Sequence, residues 1–355
     1  MPRYVLTGPN IVKKIDSVFN YLKIRNVKAL LISGNSYTKE IALDVIKNEV
    51  EKYNHEVVHY SIENLNDVIN NLQDLAHKIK EEKINILIGV GGGKSIDSAK
   101  LLAWYSNKPY ISLPTNVSHD GISSPSISYI ISQKLKSKYD IDFGLKSPLA
   151  IIADTNLIIK GLKNSLAAGV GDLIAKFTAV KDWRLTHLLK GEEYSEYAAS
   201  MALMSARIVE KNIEVISKYT EKSVSILLKA LIGSGIAIAV AGSSRPASGS
   251  EHLFSHSLDI IAEKEGFEPA QHGIQCGIGT IIMGILHGIK WKKIRNTLQM
   301  VKAPVNSKEL GIDAKYLIKA LTIANKIRKD RYTILGDTEI TPNIAEKLLK
   351  MAEII

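Results

Sequence analysis

Histidine and aspartate residues in the second half of the chain could together bind a metal ion. Asp172 lies in AAGVGDLIAK, His252 in SRPASGSEHLFSH and His272 in EPAQHGIQCG. One carboxylate and two imidazoles are a plausible ligand set for a catalytic zinc ion, which keeps one position open for a substrate. The spacings are long and the chain has nine histidines, so spacing by itself supports this grouping only weakly.

His252 and His256 form a more local pair, because residues four apart lie on the same face of a helix. The pair is similar to half of the HExxH motif of zinc proteases. The residue after His252 is Leu253, however, so the glutamate that acts as general base in that motif is missing. The pattern therefore excludes a zinc protease of this kind.

The segment GVGGGKSIDSAK, residues 89 to 100, follows an apolar run and opens a predicted helix. Glycines let the backbone turn tightly and approach a ligand, and the free N–H groups at a helix start bind phosphate. The segment matches neither the G-x-G-x-x-G nor the Walker A motif. It predicts a site for the pyrophosphate of a dinucleotide, with a tight strand-to-helix turn as the alternative. Asp97 could equally complement the helix dipole.

A polar loop, TNVSHDGISSP, begins at Thr115 directly after another apolar run. In open α/β sheets, ligands bind beyond the carboxyl ends of the strands. Thr115, Ser118 and Ser124 could hydrogen-bond a cofactor, and the titratable side chains of His119 and Asp120 could face a substrate. Asp-Gly is also a turn signal in its own right, so a plain polar turn is the alternative.

The elements that would position these residues change in character halfway along the chain. Apolar runs predict strands at Ala29–Ser33, Glu56–Tyr60, Ile84–Val90, Tyr110–Leu113 and Leu149–Asp154. Helical spacing occupies 39–50 and 65–79, and this alternation predicts a parallel, doubly wound sheet. An interrupted alternation over 126–138 predicts an inserted hairpin.

Beyond about residue 160, helix-spaced runs continue to the last residue, so we expect an α/β domain at 1–160 and an all-α domain at 161–355, with a boundary between 156 and 164. The longest apolar stretch, Leu231 to Ala241, is too short for a membrane span and predicts a buried helix.

Composition narrows the class of protein. The 355 residues are 45% apolar and 23% charged, which is typical of a globular chain of two domains. The single cysteine excludes a disulfide framework and favours a reducing compartment, so we expect a cytoplasmic protein; the first residues do not resemble a signal peptide. The net charge of +10 favours an anionic partner or reflects a lysine-rich surface. The lysines are dispersed, so nucleic-acid binding is not expected.

Five segments together resemble the archaeal-type glycerol-1-phosphate dehydrogenases, a family within the dehydroquinate synthase-like and iron-alcohol dehydrogenase-like superfamily. They are GGGKSID, PTNVSHDGISSP, GVGDLIAKFTAVKDW, SRPASGSEHLFSH and AQHGIQCGIG. The resemblance covers nearly the whole chain. It implies an NAD(P)-binding α/β domain followed by a helical domain that binds metal and substrate.

The resemblance also implies roles for matching residues. Those that would line the NAD(P) site are Gly93, Lys94, Ser95, Ile96, Asp97, Thr115, Asn116, Val117, Ser118 and Ser124. Asp172, His252 and His272 would bind one zinc ion per subunit. Asp120 and His256 would act on the substrate as catalytic residues, with Asp172 beside them.

The activity that this resemblance implies is reduction of dihydroxyacetone phosphate to sn-glycerol 1-phosphate, a building block of archaeal membrane lipids, with zinc polarising the ketone. Arg245 and Lys176 are candidate phosphate donors. Glu63 follows the second predicted strand slightly late and no arginine is nearby, so we expect both NADH and NADPH to be used. We expect a homodimer or a higher homo-oligomer.

Related families differ at single positions. Iron-dependent alcohol dehydrogenases have a histidine where this chain has Lys176, and dehydroquinate synthases have a glutamate where it has Asp172. Glycerol dehydrogenases have a similar ligand set, but a different loop from PTNVSHDGISSP. A glycerol dehydrogenase acting on unphosphorylated polyols is therefore the main alternative, and a nucleotide- or nucleic-acid-binding regulator is a distant second.

Overall fold

The computed structural model describes residues 1–161 and 165–355 of the chain. The chain divides into two compact units, Met1–Lys163 and Asn164–Ile355. The predicted boundary region, 156–164, includes three residues, 162–164, that lie outside the described residues.

The first unit is built on strands β1 (Tyr4–Gly8), β2 (Lys28–Ser33), β3 (Glu56–Ser61), β4 (Ile86–Gly91), β5 (Tyr110–Pro114) and β6 (Ala150–Asp154). Within the described residues they form one parallel sheet in the order β1-β6-β5-β4-β2-β3. The helical segments between them are a 3-10 turn (Ile11–Lys14), α1 (Ile15–Tyr21), α2 (Tyr37–Glu40), a π-helical stretch (Ile41–Lys47), α3 (Asn48–Glu51), α4 (Leu65–Asn70), α5 (Leu72–Glu81), α6 (Gly93–Tyr105), a second 3-10 turn (Asp120–Ile122), α7 (Tyr129–Tyr139) and α8 (Thr155–Lys160).

Alternate residues of the central strands face two separate layers, because side chains alternate across a strand. Leu31 and Ile88 belong to a core that includes Phe19 of α1 and part of the π-helical stretch. On the opposite face, Gly89 lies against Ala99 of α6. Helices therefore cover both faces, which confirms the predicted doubly wound sheet.

Two local predictions were wrong. The segment predicted as a hairpin, 126–138, forms helix α7, in which Tyr139 donates a hydrogen bond to the carbonyl of Ile69 at 2.7 Å. The first strand, β1, was not predicted. It is short, and it pairs in parallel with β6. The Asp154 carboxylate at the end of β6 accepts hydrogen bonds from the backbone of Asn10 and Val12, in the turn that follows β1. Both outcomes depend on contacts between residues distant in sequence.

The second unit consists of α9 (Ser165–Ile174), α10 (Lys176–Lys190), α11 (Glu196–Lys211), α12 (Ile213–Ile216), α13 (Glu221–Ala241), α14 (Ser250–Glu265), α15 (His272–Leu286), α16 (Trp291–Met300), α17 (Ser307–Leu310), α18 (Ala314–Ile327) and α19 (Pro342–Met351). None of the residues from 165 to 355 forms a strand, as predicted.

Helix α13 is longer than the apolar run from Leu231 indicated. It has 21 residues and by length and composition alone could cross a membrane, which corrects the expectation that no segment is long enough. However, 56% of its most apolar window is buried inside the protein, and the helix packs against α9 and α11. These contacts are those of a core helix, as predicted for its second half.

Candidate active site

The glycine-rich turn after β4 lies where the order of the sheet reverses. β2 and β4 are neighbours, but the chain continues from β2 to β3 on one side and from β4 to β5 on the other. Ligands of open α/β sheets bind at such a point, beyond the carboxyl ends of the strands. Helix α2, which follows β2, also reaches this point, because the methyl group of Thr38 lies beside Gly91. Sequence reasoning missed this contact, since it depends on strand order.

The glycines of the turn make room for the polar loop that follows β5. Gly91 has a φ of 146°, which favours glycine. A Cβ atom on Gly92 would collide with Nδ2 of Asn116, and one on Gly93 would collide with Nε2 of His119. The loop therefore lies directly against the N-terminus of α6, whose first N–H groups are the ones suited to bind phosphate.

A buried ion pair holds this loop in place. The Nζ atom of Lys100 is 2.9 Å from Oδ1 of Asp97, 3.2 Å from the carbonyl of Gly121 and 2.7 Å from the carbonyl of Ser126. Lys100 is fully buried. Asp97, predicted to contact the cofactor, is thus also the counter-ion of Lys100. Sequence reasoning missed Lys100, although its position three residues after Asp97 on a helix was a usable signal.

The side chain of His119 is hydrogen-bonded to the backbone of its own loop. Its Nδ1 accepts a hydrogen bond from the backbone of Gly121 at 3.0 Å, at the start of the 3-10 turn that contains Asp120. Asp120 is 9% exposed. The turn therefore fixes the backbone beside the carboxylate that was predicted to contact the substrate.

The residues predicted to line the cofactor site divide by burial. Lys94 is exposed, and Gly93, Asn116 and Ser118 are half-buried, so these four have surface available to a bound molecule. The buried members of the set are Ser95, Ile96, Asp97, Thr115, Val117 and Ser124.

In the second unit, glycines bring two helices into backbone contact. A Cβ atom on Gly171 of α9 would collide with the carbonyl of Gly273 in α15, and a Cβ on Gly273 would collide with the carbonyl of Ala168. Asp172 and His272 are sequence neighbours of these glycines. The close packing of α9 and α15, which we call the glycine seam, therefore brings an aspartate and a histidine near one another.

Helix α14 carries the other two histidines of this site, His252 and His256. The Nε2 atom of His252 is 3.8 Å from Oδ1 of Asp172, and its ring centroid is 4.9 Å from that of His272. The ring of His256, one turn later, stacks on His272 with centroids 5.8 Å apart. All four side chains are largely buried or half-buried. The structure thus brings together the three residues predicted as metal ligands and adds His256 beside them.

A buried glutamate orients His252. Glu251 is fully buried, and its Oε1 lies 2.8 Å from Nδ1 of His252. The same carboxylate accepts hydrogen bonds from the backbone of Gly249 and from Thr178. A carboxylate at Nδ1 keeps the proton on that nitrogen and leaves Nε2 available to a metal. The zinc-protease comparison considered only the residue after His252 and so missed this one.

Cys276 is a further potential ligand that sequence reasoning missed. Within the described residues, ligand atoms of His252, His272 and Cys276 lie within 4.8 Å of one another, as do those of His256, Asp259 and His272. Asp172 belongs to neither group. Cys276 follows His272 by four residues on α15, a spacing that could have revealed it. The histidines therefore form the centre of the cluster, with several acidic or sulfur donors around them.

The two candidate phosphate donors have other partners. Lys176 is fully buried with its Nζ 3.2 Å from Oδ1 of Asp172. Arg245 is 2% exposed, forms a two-pronged ion pair with Glu192 and donates to the carbonyl of Tyr332 at 2.8 Å. Neither side chain is exposed, and their assignment as phosphate donors stays a prediction.

Charge and burial keep His256 neutral. Burial is the largest cause that lowers its pKa well below 6.5, followed by the charges of His272, His252, Arg328 and Arg331. The two arginines were not singled out from the sequence. Their effect shows that positive charge lies close to the histidine cluster.

Comparison with solved structures identifies the fold. The structure of a probable glycerol dehydrogenase from Sinorhizobium meliloti matches with a TM-score of 0.74 at 16% identity, covering 99% of this chain and 96% of that one. The NADH-dependent butanol dehydrogenase A of Thermotoga maritima matches with a TM-score of 0.69 at 18% identity, covering 99% and 97%. These matches confirm the predicted fold class.

Comparison of sequences identifies the family. A family model described as iron-containing alcohol dehydrogenase matches residues 6–161. A glycerol-1-phosphate dehydrogenase (NAD(P)+) from Thermococcus sibiricus is 48% identical, covering 100% of this chain and 97% of that protein. The enzyme of the same name from Pyrococcus horikoshii is 47% identical, covering 100% and 98%. The chain therefore belongs to the glycerol-1-phosphate dehydrogenase family of NAD(P)-dependent oxidoreductases.

Proposed function

We propose that this chain uses NADH or NADPH to reduce dihydroxyacetone phosphate to sn-glycerol 1-phosphate. The observation that carries the proposal is the full-length similarity to enzymes named for that product, at 48% identity. The proposal includes a role in making archaeal membrane lipids, a cytoplasmic location and a homo-oligomeric state. The single cysteine, buried and unpaired, agrees with a reducing compartment.

The donor set of the second unit fits a zinc ion. Zinc in catalytic sites is bound by imidazole and carboxylate or thiolate groups, and these are the groups that converge on His252 and His272. We infer that His252, His272 and Asp172 hold the ion, as in the ligand set predicted from the sequence. A bound zinc ion supplies a Lewis acid that stabilises negative charge on the ketone oxygen.

The protein contributes a rigid frame around this set. Glu251 holds His252 in one tautomer, and Ser255 contacts Nδ1 of His272 at 3.2 Å. His256 is neutral near pH 7 because its pKa is lowered, so its ring can hydrogen-bond a substrate hydroxyl or pass on a proton. Asp120 stays a predicted substrate contact, on a turn that the Lys100 ion pair supports.

The first unit offers a place for the dinucleotide at the N-terminus of α6. A nicotinamide cofactor supplies the hydride, and the chain's part is to hold and orient it. The backbone N–H groups near Gly93 and the exposed Lys94 suit its pyrophosphate. Glu63 lies in the loop after β3, slightly late for the acidic residue that binds the ribose hydroxyl groups of NAD. This position supports use of both cofactors.

The test is an assay of the purified, zinc-loaded protein with NADH, and separately NADPH, and dihydroxyacetone phosphate. Loss of absorbance by the reduced nicotinamide is expected with both cofactors. The product should not be oxidised by an enzyme specific for sn-glycerol 3-phosphate. Turnover of free dihydroxyacetone or glycerol without turnover of the phosphate would instead make the chain a glycerol dehydrogenase.

A substitution at the metal site tests the ligand assignment. His252→Ala should remove most bound zinc and abolish activity, because a three-residue ligand set loses one member. Metal analysis of the purified protein measures the zinc directly. His77→Ala is a matched control, since His77 is exposed on α5 and pairs with Glu81. Full zinc content and full activity in His252→Ala would reject the site.

A further inference from the structure

Three arginines lie together in the second unit at largely buried positions. Arg245 is 2% exposed and Arg331 is 7% exposed. Arg328, three residues before Arg331, has a side chain that is 17% exposed. Arg328 and Arg245 both act electrostatically on Arg331. We refer to these three residues as the arginine cluster.

Two carboxylates lie beside the arginine cluster. Arg245 pairs with Glu192, and Arg328 pairs with Asp330 at 2.8 Å. Glu192 and Asp330 are also the two carboxylates that act on Arg331.

Arg331 has unused hydrogen-bonding capacity. Its two terminal nitrogens donate to the carbonyl of Ser248 at 2.6 Å and to the hydroxyl of Ser244 at 2.9 Å. Its buried Nε has no hydrogen-bond acceptor among the described residues. Burial, followed by the charges of Arg328 and Arg245, lowers the pKa of Arg331 to about 9. A buried polar group that lacks an acceptor is costly, and an anion that accepts a hydrogen bond from Nε would remove this cost.

The chain segment that carries Arg331 is firmly attached to the frame of the histidine cluster. The carbonyl of Tyr332 accepts hydrogen bonds from Arg245 and Thr186, and the backbone of Ile334 donates to Asp182. Asp182 also accepts hydrogen bonds from the backbone and side chain of Ser250, the first residue of α14. The same carboxylate thus fixes both the start of the histidine-bearing helix and the arginine segment.

The arginine cluster is also close to the histidines in electrostatic terms. The charges of Arg328 and Arg331 act on His256, which is itself stacked on His272. A three-carbon phosphorylated ketone has its phosphate only a few bonds from its carbonyl. An anion-binding group near His256 is therefore in the region where the phosphate of such a substrate must be neutralised.

We propose that Arg331, with Arg328, binds the phosphate group of the substrate and sets the preference for a phosphorylated ketone over its unphosphorylated form. This inference rests on the proposed function, since it assigns a part of the same substrate. Arginine suits the task because its planar, permanently charged fork matches the geometry of phosphate.

Steady-state kinetics with two substrates tests the assignment. In Arg331→Gln, the KM for dihydroxyacetone phosphate should rise by about 10- to 150-fold, the effect of losing a hydrogen bond to a charged group. Turnover of free dihydroxyacetone, measured as kcat/KM, should change little. Arg328→Gln should act in the same direction. Inorganic phosphate should raise the thermal unfolding midpoint of the unaltered protein but not that of Arg331→Gln.

Controls separate a binding role from a purely structural one. Arg295→Gln is the matched control, because Arg295 donates to the backbone carbonyls of Val305, Ala352 and Glu353 and should leave the KM for the phosphate substrate unchanged. Circular dichroism and zinc content show whether each variant is folded. If Arg331→Gln does not fold, Arg331→Lys and Arg328→Gln replace it, with a raised KM again expected.

The possible outcomes distinguish this inference from the proposed function. If the unaltered protein does not reduce dihydroxyacetone phosphate, the proposed function itself fails. If it does, but folded Arg331 and Arg328 variants keep its KM and still respond to inorganic phosphate, the arginine assignment alone is overturned. An equal loss of activity on both substrates with an unchanged response to phosphate would likewise show that Arg331 only supports the loop around Ser248.

Discussion

The two candidate regions of the molecule contain buried cations whose hydrogen bonding differs. Lys100 in the first unit meets one carboxylate and two carbonyl oxygens, so each of its three N–H bonds has an acceptor. Arg331 in the second unit has acceptors at its terminal nitrogens but none at Nε within the described part of the chain. A cation whose N–H groups all have acceptors stabilises a loop, whereas a cation with one N–H group that lacks an acceptor can still donate a hydrogen bond to a ligand.

The two regions also differ in how their residues are brought together. In the first unit, the ammonium group of Lys100 ties a loop to helix α6 by electrostatic contacts. In the second, the glycine seam between α9 and α15 lets backbones touch and so places Asp172 and His272 together. The first region should therefore be most sensitive to loss of charge, and the second to added volume.

The largest effect on stability is expected from Lys100→Met. It leaves Asp97 buried without its cation and leaves the carbonyls of Gly121 and Ser126 without a donor. Breaking a buried ion pair on one side costs about 3–5 kcal/mol. Urea unfolding of the full chain measures the loss. Lys28→Met is the control, since its ion pair with Glu56 is partly exposed and is worth less than about 1 kcal/mol.

The double substitution Lys100→Met with Asp97→Leu sharpens the same test. Removing the carboxylate together with its partner should recover part of the lost stability, because no uncompensated charge is then buried. If the single and double variants are equally unstable, the charge is not what holds the loop, and the contrast with Arg331 disappears.

The second-largest effect on stability is expected from an added methyl group in the glycine seam. Gly171→Ala places a Cβ against the carbonyl of Gly273, which is backbone and cannot rotate away. Overpacking of this kind costs about 1–3 kcal/mol, and separation of the helices should also weaken zinc binding. Gly233→Ala in α13 is the control. Its Cβ would meet only the hydroxyl of Ser205 at 3.0 Å, and alanine favours the helix. Normal zinc affinity in Gly171→Ala would show that the seam does not position the ligands.

Substitution of Glu251 should have a smaller, more specific effect. Glu251→Leu removes the acceptor at Nδ1 of His252, and such partners are worth about 10- to 100-fold in metal affinity. Glu251→Gln keeps an oxygen acceptor and should recover much of the affinity. Competition with a chelator measures both, and Glu196→Leu, at an exposed position at the start of α11, serves as the control. Equal affinities in the leucine and glutamine variants would count against an orienting role.

The smallest effect on stability is expected from His59, a half-buried histidine whose charged form is disfavoured in the folded protein. Burial, followed by Lys39 and Lys47, lowers the pKa of His59, whose Nε2 contacts Ser33 at 2.8 Å. The unfolded chain therefore takes up the proton first as pH falls below 6.5, and this contribution to stability is lost with falling pH. Thermal unfolding at about pH 7.5 and about pH 5 should show a smaller loss in His59→Gln than in the unaltered protein. An identical loss in both would remove His59 as the cause.

Much of the site could be predicted from patterns that span only a few residues. These patterns are the glycines after a buried strand, the polar loop after the next strand and the histidines at helical spacing. The prediction of a hairpin at 126–138 was wrong because alternation of apolar and polar residues over a short stretch cannot distinguish a strand from a helix such as α7. Lys100 and Cys276 were missed even though each lies one helical turn from a residue that was considered.

The amino-acid sequence was enough to predict most of the elements, though not β1 or α7, because side-chain periodicity, glycine and polar caps act within a few residues. It also determined the family, through motifs spread over the whole chain. Which distant residues meet depends on the tertiary fold. Strand order brings Thr38 to Gly91, the glycine seam brings Asp172 near His272, and the packing of the helical unit places the charges of Arg328 and Arg331 within reach of His256. These encounters depend on close packing and on charge at separations that no local pattern encodes.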